Sequence, residues 1–284
     1  MKKKTDTPLI ITSNASNNVI KVYYIKDNFD YIVKYFYDGV ENTEKTETLS
    51  AEFGSKITTY TDKVIDGYKL EKVEGTPLTI TSNKANNIIN VYYVKDNFNY
   101  IVKYFYDGVE NTEKAETLSA EFGSEITTYA DKVIDGYKLE KTENLPLTIS
   151  SNTSNNIINV YYVKDNFGYI VKYFYDGEED TTKEENGTAE FGSQITTYAN
   201  KVIDGYKLDK TENLPLTISS NTENNVIKVY YIKDNFGYTV KYFYDGVEDS
   251  EKAETLSAEF GSQITTYADK VIDGYKLDKT ENLY

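Results

Sequence analysis

Tyr31-Ile32-Val33-Lys34-Tyr35-Phe36-Tyr37 decides the fold class of this chain. Its residues are β-branched or aromatic apart from Lys34, and Asp38-Gly39 closes it with a turn signal, so it reads as a strand. Side chains alternate across a strand, which puts Tyr31, Val33, Tyr35 and Tyr37 on one face and Ile32, Lys34 and Phe36 on the other. Nearly the same words return three times, beginning at Tyr100, Tyr169 and Tyr238. Pro8, Pro77, Pro146 and Pro215 are spaced by 69 residues, so the unit to reason about is the 69-residue repeat, not the 284-residue chain.

Outward from that strand, the acidic stretch 40–47 reads as a loop in solvent. Leu49-Ser-Ala-Glu-Phe53 alternates, and reads as a second strand with Leu49, Ala51 and Phe53 inward. Ile57, Tyr60, Thr61 and Val64 stand at helical spacing, with Thr58 or Thr59 as a cap. They predict a short helix that ends before Gly67 and docks on the sheet. Tyr68-Lys-Leu70 opens a third extended segment, and Pro77 to Thr81 a short edge piece. Ser82-Asn83 and Asn86-Asn87 bracket a turn. Ile88 to Val94 is the last strand, and about four residues separate it from the next copy. So short a linker, poor in Gly, Pro and Ser, predicts limited bending between copies. Each copy is long enough to be a small domain with a core of its own, though a marginal one.

Composition narrows the chemistry. There is no His, Cys, Trp or Arg, which removes imidazole acid–base work, thiol and His-based nucleophile systems, disulfides and thiolate metal sites. A net charge of −15, from 46 acids against 31 lysines, argues against nucleic acid and anionic lipid as partners. No apolar run has the length of a membrane helix, and no apolar segment follows Met1-Lys-Lys-Lys to make a signal peptide. The 29 tyrosines and 12 phenylalanines recur in step with the repeat, a density suited to β-structure. No Gly-rich phosphate loop or paired-carboxylate constellation is present, so the expectation is no enzyme and no cofactor.

The ordered elements Tyr31 to Tyr35, Asp38-Gly39, Gly54-Ser55, Asp66-Gly67-Tyr68 and Val91 to Val94 resemble the MucBP (mucin-binding protein) repeat of Gram-positive bacterial surface proteins. The resemblance covers essentially the whole chain. It implies an α+β, mostly β architecture: tandem β-grasp, ubiquitin-like domains with one short helix each, arranged as an elongated rod. It also implies an extracellular place on the bacterial cell wall, and adhesion to mucin or other host glycans. The chain has no LPxTG-like sorting motif, so the expectation is a fragment of a larger surface protein. The alternative function is a structural stalk that projects a separate binding domain.

The family phasing places complete repeats at 29–97, 98–166 and 167–235. Residues 1–28 carry only the last strand of a unit, and 236–284 a unit lacking that strand. Head-to-tail strand complementation between molecules would complete both, giving a homo-oligomer; the alternative is that the ends fray, or that the folding unit runs from Pro8 to Thr76. Alternation points Lys34, Phe36, Asn90 and Tyr92 outward, and the β-grasp sheet that the resemblance implies would set their two strands side by side, making them a candidate sugar-binding patch. It repeats as Lys103, Phe105, Asn159 and Tyr161, and in the third copy as Lys172, Phe174 and Tyr230. Aromatic faces flanked by amine and amide donors hold sugar rings; the alternative is ordinary cross-strand pairing on a solvated face. The acidic loop around Asp38, Glu41, Asn42 and Glu44 lacks EF-hand spacing and reads as a solvated hairpin. Asp66-Gly67-Tyr68 reads as a tight turn with glycine at positive φ.

Overall fold

The structure, a computed structural model, describes residues 8–282 apart from Val64, Val133, Val202 and Val271. Two compact units divide the chain: 1–103 with 115–129 and 143–159, and 104–114 with 130–142 and 160–284. The division passes through the second repeat, so the first and third repeats are each contained in one unit.

The first repeat is built from Asn28–Tyr37 (β1), Val40–Glu41 (β2), Glu47–Glu52 (β3), Lys56–Ile57 (β4), Tyr68–Glu74 (β5), Leu78–Thr79 (β6) and Ile88–Lys95 (β7). β1 pairs antiparallel with β2 and β3 on one side. On its other side it pairs parallel with β7, Lys34 facing Asn90 and Phe36 facing Tyr92. β5 closes the sheet antiparallel to β7, with a bulge between Leu70 and Lys72. β4 and β6 form a separate two-stranded ribbon.

The alternation seen in the sequence is the alternation of burial. Val33, Tyr35, Ile89, Val91 and Tyr93 point inward and meet Leu78 and Ile80 from the ribbon. The third repeat repeats the order with Asn166–Tyr175, Glu185–Glu190, Tyr206–Glu212 and Val226–Lys233, around Val171, Tyr173, Leu216, Ile218, Ile227, Val229 and Tyr231. This is a mostly β, tandemly repeated structure.

A parallel pair needs a long crossover, and a buried asparagine fastens its landing point. Asn87 is fully buried just before β7. Its Oδ1 accepts from Thr81 N and Thr81 Oγ1, both at 3.0 Å. Its Nδ2 donates to Thr81 O at 2.8 Å and to Asp30 O at 3.1 Å. Asn156 and Asn225 occupy the same position with equivalent bonds.

Four expectations need correction. No α-helix occurs among the described residues; the only helical turns are three-residue 3-10 turns. Residues 58–63 run irregularly because tyrosines from the sheet take the backbone bonds a helix would make. Tyr35 Oη donates to Thr61 O at 2.7 Å, and Lys63 N donates to Tyr93 Oη at 3.1 Å. Ile57 is held by its pairing with Leu78, and Val64 lies outside the described residues. Leu49 and Phe53 are exposed, at 41% and 46%, because β3 flanks the sheet and only Ala51 of the three packs on the core. The acidic stretch is not wholly a solvent loop: Val40 and Glu41 pair with β1, and Glu47 opens β3. Finally, Asp96 alone separates β7 from the next strand, Asn97–Tyr106.

The terminal segments differ from the whole repeats. Residues 18–27 contain no strand, though a 3-10 turn forms at Ala15–Asn17. Among its described residues the fourth copy forms only paired two-stranded pieces, Asn235–Val240 with Glu254–Glu259 and Phe243–Tyr244 with Val247–Glu248.

Candidate functional site

β7 lies between β1 and β5, so the outward residues line up in rows across three strands. Phe36, Tyr92 and Lys72 make one row. The Phe36 and Tyr92 rings stack with centroids 4.7 Å apart and an interplanar angle of 19°. Lys72 Nζ lies 4.7 Å from the Tyr92 centroid. It donates to Glu74 Oε1 at 2.8 Å, and Tyr92 Oη donates to Glu74 Oε2 at 3.1 Å. The Lys72 bond holds the Glu74 carboxyl below its ordinary value, with help from Tyr92. Partial burial, then the bond to Glu74, pushes the Tyr92 phenol up.

The row beside it holds Lys34, Asn90 and Glu74. Lys34 Nζ donates to Glu41 Oε2 at 3.1 Å. All four residues that alternation groups in the first repeat therefore share one half-buried face. In the second repeat Phe105 and Tyr161 stack at 4.7 Å with Lys141 over Tyr161, and Lys103 and Asn159 hold the matching strand positions. In the third, Phe174 and Tyr230 stack at 4.8 Å with Lys210 over Tyr230. Lys172 donates to Glu179 at 2.9 Å, and Lys228 stands where the first and second repeats carry Asn90 and Asn159. An open groove on this face is lined by Lys172, Phe174, Glu179, Asn213, Asn224 and Lys228.

Chemically, the face is a set of cross-strand ladders with amine and amide donors at the edges. Tyr92 is flanked by Phe36 on one side and Lys72 on the other. A sugar ring would meet aromatic edges and polar tips more readily than an open face of Tyr92. The lysines of β5 are not singled out by the sequence reading, because the register shift between Leu70 and Lys72 is what sets Lys72 opposite Tyr92.

A second constellation lies where one copy follows another. A β-carbon on Gly67 would come within 2.4 Å of the Phe122 ring, so the ring sits in the space that glycine leaves. Phe122 also meets Tyr68 edge-on at 6.4 Å and Phe98 at 6.1 Å. Backbone bonds fix the approach: Asp96 N donates to Gly67 O and Phe122 N to Asp96 O, at 2.9 and 2.8 Å. The same joint recurs with Phe191 on Gly136 and Phe260 on Gly205. Gly67 does have a positive φ, +79°, as its turn predicts, but the ring contact is a second reason for glycine there.

Behind the sheet, phenols and acids form a structural network. Tyr35 Oη donates to Glu47 at 3.0 Å, and Lys63 Nζ donates to Glu47 at 2.6 Å. The Lys63 bond chiefly holds Glu47 below its ordinary value, against the effect of burial. Burial, reinforced by Glu47, raises the Tyr35 phenol strongly. Tyr93 is raised by burial and by its bond to Asp62. Glu47 accepts from Lys63 through Oε1 and from Tyr35 through Oε2, and Asp62 accepts from Tyr93 through Oδ1. Among the described residues no group of three acids is placed to hold a metal ion.

No family model matches the chain, and no curated protein matches it. Among solved structures, two B repeat units (B1B2) of the collagen-binding protein of Staphylococcus aureus align over 81% of this chain and 86% of that one, at 11% identity and a TM-score of 0.14. A superposition at that level carries no argument about fold or function.

Proposed function

We propose that this chain is the tandem-repeat region of a bacterial cell-surface adhesin, and that its repeats serve as a jointed structural spacer rather than as an enzyme. The observation that carries the spacer reading is the joint: each following copy seats a phenylalanine on the glycine of the copy before it, with Asp96-type backbone bonds on either side. Contacts of this kind restrict how one copy turns on the next, which a projecting segment needs and a floppy tether lacks. The resemblance of the repeat words to MucBP supports the surface location and, with the parallel central strand pair, a β-grasp-like unit without its helix. Small-angle scattering of the chain and of a Phe122→Ala/Phe191→Ala/Phe260→Ala variant tests the reading. The expected result is a broader distribution of intramolecular distances in the variant. Superimposable curves would sink it.

A second reading is multivalent binding of mucin or other host glycans on the outward face. It is favoured by the groove that Lys172, Phe174, Asn213 and Lys228 line, beside rows that recur in every whole repeat. Weak sites repeated in series gain by effective concentration. Saturable binding to intact but not deglycosylated mucin, lost in a Phe36→Ser/Phe105→Ser/Phe174→Ser variant, would bring this reading forward.

A further inference from the structure

In the first repeat the chain enters through β1 and leaves through β7. These two strands pair directly and in parallel, from Ile32 beside Ile88 to Tyr37 beside Tyr93. Parallel order puts the entry at the amino end of β1 and the exit at the carboxyl end of β7, at opposite ends of the pair. Tension along the chain therefore pulls β1 back and β7 forward. It meets the pair in shear, and the crossover of residues 38–87 carries none of it. Bonds across a sheared pair have to give together, whereas a pair pulled from one end opens bond by bond. The pairs of β1 with β3 and of β5 with β7 stand off this route.

The interface between β1 and β7 is built to resist sliding. Val33, Tyr35, Ile89 and Val91 are at 0% exposure, which shields the ladder bonds from water on the core side. The ladder is closed at both ends: Ile32 N donates to Asn87 O at 2.9 Å, and Asp38 N to Tyr93 O at 3.0 Å. Asn87 adds a buried pin, Nδ2 to Asp30 O at 3.1 Å, across the same two strands. Rings stack over the join on both faces, Phe36 on Tyr92 at 4.7 Å outward and Tyr37 on Tyr93 at 5.2 Å inward. The third repeat has the same parts. Ile170 N donates to Asn225 O at 2.9 Å, Asp176 N to Tyr231 O at 3.0 Å, and Asn225 Nδ2 to Gly168 O at 3.1 Å. Phe174 stacks on Tyr230 and Tyr175 on Tyr231.

We propose that each whole repeat is a load-bearing clamp, which resists tension along the chain through shear of its parallel strand pair. The proposal rests on the spacer reading for its use, since a segment projecting from a cell wall is pulled lengthwise whenever its far end is held. The two can fail separately, because scattering reads the joints and pulling reads the sheet.

Single-molecule pulling of the full chain by its two ends tests this. Each whole repeat is expected to rupture in one step, releasing roughly 200 Å of chain for its 69 residues. Forced rupture follows the unfolding barrier, not the equilibrium stability, so the direction of pulling should matter. The chain has no Cys, so cysteine handles can be placed singly. Handles at Lys26→Cys and Ala85→Cys, both exposed positions, pull the first repeat from the amino ends of β1 and β7. Those ends lie together, as the Lys84–Asp30 ion pair at 2.7 Å shows. The pair then opens bond by bond, and the expected rupture force is several-fold lower than in end-to-end pulling. Phe36→Ala, on the sheared interface, is expected to lower the end-to-end rupture force of one repeat and leave the other two unchanged. Phe53→Ala, whose ring meets Phe29 off the route, is expected to leave every rupture force unchanged while lowering melting stability. Equal forces in the two pulling directions overturn the proposal, and do so with the side chains of the sheet intact. So does a Phe53→Ala repeat that weakens under force as much as a Phe36→Ala repeat.

Discussion

Val226–Lys233 and Val19–Lys26 are the same eight residues in two states. One is the buried centre of a five-stranded sheet, and the other runs exposed with no strand at all. Intrinsic β preference is identical in the two, so it decides nothing by itself. What differs is a neighbouring strand to bond with and a core face to cover. The whole repeats have both, and Val19–Lys26 has neither.

The strongest way to break that comparison is to charge the same position in both places. Val91→Asp buries a carboxylate among Val33, Tyr35 and Ile89. It should cost more than about 4 kcal/mol, which rivals the ~3–10 kcal/mol total stability expected of a unit this size. Hydrogen exchange should show the first repeat open while the third stays protected. Val22→Asp, at the equivalent tail position, should leave single-copy melting unchanged. Equal effects would mean the tail is a strand after all.

Alkaline pH sharpens the comparison next, because it acts on every whole repeat at once. Tyr35, Tyr93 and Tyr173 are raised above the ordinary tyrosine value, chiefly by burial, and Tyr175 is pushed up to about 12. A raised folded value means that the folded state holds protons the unfolded state would release. Their stabilisation is complete below the unfolded value of about 10 and is lost as pH climbs through the folded values. Melting temperature should therefore fall steeply above pH ~10. A flat profile between pH ~9 and ~12 would contradict the buried phenols.

The joints give a smaller effect. Phe122→Ala removes a ring seated on Gly67 and touching Tyr68 and Phe98. It should lower the stability of the first two repeats by about 1–3 kcal/mol, since the ring is only part-buried. Phe53→Ala removes a ring that is 46% exposed and meets Phe29 edge-on, and should cost less than half as much. Denaturant melts of the two variants side by side decide it. Equal losses would mean the ring matters only within its own repeat.

The sheet was legible because its information is local. Alternation in Tyr31 to Tyr37 and Ile88 to Val94 fixes which residues face in, and pairing then sets Lys34 by Asn90 and Phe36 by Tyr92. The helix was misread for the complementary reason. Ile57, Tyr60 and Thr61 have helical spacing, but tyrosine hydroxyls from β1 and β7 take up the backbone groups, and those strands are distant in sequence. Asn87 looked like a turn residue, and its four side-chain bonds appear only when Asp30 and Thr81 are brought to it. The glycine joint was hidden because a tight turn already accounts for Gly67. Its ring partner belongs to the following copy. Nor does the sequence separate an aromatic pair open to a ligand from one closed by a lysine on the next strand; Lys72 over Tyr92 depends on the bulge in β5.

The smallest expected effect bears on the outward face itself. Lys34 and Glu41 are about 30% exposed and 3.1 Å apart in a whole repeat, while Lys241 and Glu248, at 3.2 Å, are 50% and 36% exposed in the fourth copy. Surface pairs of this kind contribute about 0–1 kcal/mol, less as salt rises. Lys34→Met should therefore shift denaturant midpoints barely, and Lys241→Met less still, with the difference closing in high salt. That near-neutrality has a functional edge. An ammonium held so weakly can exchange Glu41 for a ligand oxygen at little cost, so Lys34→Met would report on glycan binding without disturbing the sheet. A loss well above 1 kcal/mol would instead bind Lys34 to the fold, and the outward face would lose one of its amine donors.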